Sequence, residues 1–74
     1  MSNPVRVTGT AFESSAQIGQ MQIWDNGKKL GIANGASIDQ TFMLTSGAHR
    51  ITVEDLSAGT FSLLHQTVVN ITVQ

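Results

Sequence analysis

Seventy-four residues make one domain, near the size at which a single core is marginal, and only three Phe, one Trp and no Tyr are available to fill it. Four Lys and Arg against five Asp and Glu leave a net charge of −1, which argues against nucleic acid and anionic membrane as main partners, since both need clustered cations. Without Cys there are no disulfides or thiolate metal sites, and no apolar run reaches the roughly 18 residues needed to cross a bilayer as a helix.

No window places apolar residues at i, i+3, i+4 and i+7, and the abundant Thr, Ser, Gly, Val and Asn are poor helix formers. Period-two runs separated by turn residues predict an all-β chain. Met1-Ser2-Asn3 reads as the start of an excised segment. In the first run, 4–12, Val5, Val7, Gly9 and Ala11 share one face, and Arg6, Thr8 and Thr10 share the other. Gly9 and Ala11 are small, so a bulky neighbour must cover them. Residues 13–19 read as a loop.

Stretch 20–30 organises the rest. Met21 and Ile23 alternate with Trp24, and Asp25-Asn26-Gly27 predicts a tight hairpin whose central residues need φ > 0. The return strand covers 28–32, and Asn34-Gly35 marks another turn. Between Ser37 and Leu44, Ile38, Phe42 and Leu44 fall together, opposite Asp39, Thr41 and Met43. After a turn at 45–48, the strand 49–55 sends Ile51 and Val53 inward and Arg50, Thr52 and Glu54 outward. A loop at 56–60 leads to the last strand, which carries Val69, Ile71 and Val73 on the core face. The expectation is about six strands in a single domain over 1–74.

Four segments, in order, carry a resemblance: Pro-Val-Arg-Val-Thr, Met-Gln-Ile-Trp-Asp-Asn-Gly-Lys-Lys-Leu-Gly, Gly-Ala-His-Arg-Ile-Thr-Val and Val-Asn-Ile-Thr-Val. Together they resemble the bacterial immunoglobulin-like domains found in tandem on secreted and cell-surface proteins. The resemblance spans Pro4 to Val73 and implies an antiparallel β-sandwich, with strands B and E in one sheet and C′, C, F and G in the other. It implies no chemistry. One departure matters: such domains usually open with a further strand, and only Met1 to Asn3 precede strand B here. The edge of strand B along Val5 to Ala11 is therefore expected to be open, inviting self-association or a strand donated by flanking sequence.

Placed on that topology, Glu13, Asp39, Glu54 and Asp55 fall near one end, and Arg6, Lys28, Lys29 and Arg50 near the other with Asp25. Such a split is either solvated loop charge or a dipolar bead that meets its neighbours end to end. The four acids could supply some oxygens of a calcium site, but they lack an Asp-x-Asp-x-Asp run and come from separate segments. Asp25 and His49 share inward parity on neighbouring strands, so a carboxylate–imidazole contact stitching the lower rim is expected, and Asn26 and Gly27 have a structural role as the turn. Ser46 lies close to His49, but no strand-to-helix elbow supports it as a nucleophile. His65 reads as a rim histidine. Trp24 points to the outer face, either packed beside Lys29, Arg50 or Thr52 or forming a platform for a sugar or a neighbouring domain. Lys28 and Lys29 sit in an exposed turn, which argues against an isopeptide crosslink.

The resemblance implies a non-catalytic structural or adhesive module of a bacterial extracellular or cell-surface protein, acting as spacer or protein-interaction domain without a cofactor. The possible interaction surface comprises Trp24, Lys29, Arg50, Glu13, Asp39, Glu54 and Asp55. Partners are neighbouring domains of the same polypeptide or a second copy through the open edge. The alternative is a carbohydrate-binding accessory module of a secreted glycoside hydrolase, with polysaccharide as partner.

Overall fold

The computed structural model describes Met1–Gln74 and consists of six strands without a helix. They are β1 (Val5–Thr10), β2 (Ile18–Asp25), β3 (Lys28–Asn34), β4 (Ser37–Phe42), β5 (Gly47–Ser57) and β6 (Leu63–Val73). A two-stranded sheet, β1-β4, faces a four-stranded sheet in the order β3-β2-β5-β6, and every pairing is antiparallel. The all-β sandwich of six strands is therefore present, with the expected division between layers.

Alternation explains which side chains meet. Ile18, Met21, Ile23, Ile38 and Ile51 form the buried cluster, and Val7, Phe42, Val53 and Ile71 pack against it. Burying each large aliphatic contributes about 1.5–3 kcal/mol, so these few residues carry most of the fold. Gly9 lies directly beneath them: a Cβ there would sit 3.2 Å from Val53 Cγ1 and 3.3 Å from the Met21 methyl. The bulky cover demanded by Gly9 is thus supplied by Met21 and Val53.

The hairpin turns at Asn26 (φ 50°) and Gly27 (φ 86°), with Asp25 opposite Lys28. Beyond it the register passes from Trp24↔Lys29 to Ile23↔Gly31, which leaves Leu30 as an extra residue packed against the core. A second irregularity corrects the expected loop over 13–19. β2 begins at Ile18, whose side chain is buried, and Gly19 is the extra residue between the pairs Ile18↔Ser57 and Gln20↔Leu56. Glycine is required there by proximity, because a Cβ would lie 2.6 Å from Ala58 Cα. The same pairing extends β5 to Ser57, into the stretch expected to be loop.

Strand to strand, the two layers approach most closely on one side, where β3 meets β4. Next to β3 and β4, Gln40 Nε2 donates to the Ile32 carbonyl at 3.0 Å. On the opposite side β1 pairs only with β4, β6 pairs only with β5, and a cleft of about 380 Å³ opens between them. The N-terminal arm closes the lower end of this cleft. Asn3 Nδ2 donates to the Leu44 carbonyl (2.7 Å) and its Oδ1 accepts the Leu44 N–H (2.9 Å). Met1 then lies beside the end of β6.

Candidate functional site

At the lower rim, the end of β2 meets the start of β5. His49 Nδ1 lies 2.8 Å from both carboxylate oxygens of Asp25, and its Nε2 lies 2.7 Å from the Thr45 carbonyl. His49 is only 6% exposed. Both ring nitrogens thus face acceptors, an arrangement that suits the imidazolium, which donates from each. The Thr45 carbonyl first, and then Asp25, raise the His49 pKa above its ordinary value, against the opposing effect of burial. Nε2 meets Thr45 and not Ser46, so no nucleophile–base contact is formed. One residue further along, Asn26 N–H donates to the Arg50 carbonyl (3.0 Å), and Asn26 Oδ1 accepts the Arg50 N–H (2.8 Å). The hairpin tip is thereby fastened to β5 through both side chain and main chain.

The expected separation of acids from bases is broken at one pair. Arg6 and Asp39, placed at opposite ends by the sequence reading, form a two-pronged ion pair at 2.8 and 2.6 Å on the outer face of the small sheet. The cause is register: Thr8 is opposite Asp39 and Arg6 opposite Thr41, so the long Arg6 side chain reaches diagonally. Each partner stabilises the other's charge, raising the Arg6 pKa and lowering that of Asp39.

Glu13 and Asp55 approach different nitrogens of His65, Glu13 at Nε2 (3.2 Å) and Asp55 at Nδ1 (3.0 Å). Asp55 is buried and also accepts the His65 main-chain N–H at 3.0 Å. Glu13 is held below the usual carboxylate range, chiefly by the Ser15 main-chain N–H. The four acids named together in the sequence analysis therefore do not converge: Asp39 serves Arg6, Glu13 and Asp55 flank one imidazole, and Glu54 lies by Trp24. None of these carboxylates belongs to a group of three metal-type ligands placed to hold an ion.

On the outer face of the large sheet, Trp24 is opposite Lys29 on β3 and Thr52 on β5. Its indole N–H donates to Gln22 Oε1 at 3.0 Å, and Gln22 Nε2 donates to Gln20 Oε1 at 2.7 Å. Arg50, Glu54 and Gln66 share a shallow depression with Trp24, while Lys29 stands outside it. Gln20, Gln22 and Gln66 were missed in the sequence, although their shared parity with Trp24 or register opposite Glu54 was the available signal.

The cleft between β1 and β6 is the more enclosed and more apolar feature. Val7, Gly9, Ile51, Val53, Val69 and Ile71 line it, and Val69 is half exposed. The sequence pointed to the edge of β1 but not to the matching edge of β6. The chain matches no family model, and no curated protein or solved structure shows significant similarity to it.

Proposed function

We propose that this chain is a non-catalytic structural or adhesive module with an immunoglobulin-like strand arrangement, working as a spacer or protein-interaction domain of a bacterial extracellular or cell-surface protein. The observation that carries this reading is the pair of unpaired strand edges, β1 and β6, flanking an apolar cleft. Unpaired main-chain groups beside an exposed aliphatic surface favour association with another chain. The engagement of both His49 nitrogens supports a structural role for the one buried imidazole. Light scattering after size exclusion, at rising concentration, tests the self-association arm. Growth of a dimer supports it, and a strict monomer at high concentration removes the second copy as partner.

A second reading rests on the Gln20–Gln22–Trp24 row. An indole flanked by carboxamides and Glu54 offers a flat apolar surface with polar rims, the chemistry that suits a sugar ring. Saturable retention by a polysaccharide, lost in Trp24→Ala, would favour a carbohydrate-binding module.

A further inference from the structure

We propose that the cleft between β1 and β6 is an acceptor site for one extended peptide strand, running parallel to β6 and carrying aliphatic side chains at alternate positions. This inference rests on the interaction-module reading and specifies its partner. The direction comes from Met1. Its N-terminal nitrogen donates to the Thr72 carbonyl (2.9 Å), and its own carbonyl accepts the Gln74 N–H (2.8 Å). One residue bonded to positions j−1 and j+1 of its neighbour is a rung of a parallel ladder, with Met1 beside Val73. That single rung marks the lower end of a strand position that is otherwise empty.

The next rungs are available. N–H and C=O of one strand residue point to the same side, and successive residues alternate. Thr72 and Gln74 face the open edge, so Asn70 and Val68 face it too. Arg50, opposite Asn70, independently agrees: its main-chain N–H and C=O are both used by Asn26, on the far side of β5. An incoming strand continuing upward from Met1 would accept from the Thr72 and Asn70 N–H groups and donate to the Asn70 and Val68 carbonyls.

Side-chain parity follows as well. Met1 lines the cleft, so every second residue of the incoming strand would turn inward onto Val7, Ile51, Val53 and Val69. Aliphatic groups there would cover Val69, which is 50% exposed. Main-chain bonds would supply affinity and the alternating pockets specificity, as in other strand-addition complexes.

The test is a titration of the full chain with a capped peptide alternating Val and Thr, with a Lys at each end, followed by amide NMR. The expected result is saturable one-to-one binding that protects the Asn70 and Thr72 amides. A spin label at the peptide's C-terminal end should broaden Met1 and Thr72, and one at its N-terminal end Gln66. Asn70→Pro removes an edge N–H without touching the β5 pairing and should abolish binding, while Thr8→Pro on β1 should not. Val69→Lys, at a half-exposed position that leaves the core intact, should abolish it too. Binding lost only in Thr8→Pro, reversed label broadening, or no saturable binding overturns the proposal. Self-association of the chain without peptide uptake keeps the interaction reading and overturns the strand site; a strict monomer that takes no peptide overturns both.

Discussion

Asp25 presents both carboxylate oxygens to His49 Nδ1 at 2.8 Å while the Thr45 carbonyl takes the opposite nitrogen. Because the folded state raises the His49 pKa, it binds this proton more tightly than the unfolded chain does. The stability so gained is fully present below the unfolded value of about 6.5 and is lost as pH rises through the folded value. Urea midpoints measured from pH 5 to 9 should therefore fall across that window in the parent. In His49→Gln, which keeps polarity without titrating, the fall should disappear. Parallel curves for the two proteins would exclude His49 as the titrating clasp.

Asn26 holds φ at 50° and uses its side chain to accept the Arg50 N–H. Asn26→Ala should cost about 1 kcal/mol for a side chain without local hydrogen bonding in the left-handed region, and about 1 kcal/mol more for the lost bond. Asn26→Gly should recover the first part and not the second. Equilibrium denaturation of the two variants separates these contributions, and equal losses would mean that backbone conformation is not what selects Asn.

Much of this geometry is legible from alternation. Val7, Ile23, Phe42, Val53 and Ile71 meet because each is the inward member of a period-two run, and Asp25 meets His49 because inward parity and antiparallel neighbours bring them together. The partition of strands between sheets came from the family resemblance, not from periodicity. What escaped depends on register. Arg6 finds Asp39 only through a diagonal fixed by the β1–β4 pairing. Gly19 looked like loop punctuation, whereas it is a strand residue at which the backbone of Ala58 comes too close for a side chain. The glutamines beside Trp24 share its parity, but the bonds that tie them to the indole depend on rotamers that alternation does not specify.

The bulge at Gly19 gives a sharp steric expectation. In Gly19→Ala the new methyl would meet Ala58 Cα at 2.6 Å, a main-chain atom that no rotamer change can move. Overpacking of this kind costs about 1–3 kcal/mol. Adding Ala58→Gly should give no rescue, since the colliding atom remains. Full recovery in the double variant would show that the Ala58 methyl, and not the backbone approach, governs this site.

The two sides of the sandwich should respond unequally to truncation. Ile23 has no exposed surface, and Ile23→Ala should cost about 3–4 kcal/mol through lost burial and a residual cavity. Against a total of about 4–11 kcal/mol for a chain of this size, that is a large share. Val69 is half exposed at the cleft, so Val69→Ala should stay within about 0.5 kcal/mol of the parent. Comparable losses would place Val69 inside a closed core and remove the cleft.

Trp24 is the sole tryptophan, so its emission reports the outer face of the large sheet without interference. Its indole N–H is already committed to Gln22, which is itself held by Gln20. For a spacer or protein-interaction module this row is a cross-bonded sheet surface, and emission should stay constant across a panel of soluble oligosaccharides. A glycan site would behave differently. Stacking on the indole would shift the emission saturably, and Gln22→Ala, which frees the N–H and the ring, would change the midpoint of that shift. A flat titration in both proteins counts against the glycan-binding reading; a saturable one, altered in Gln22→Ala, favours it.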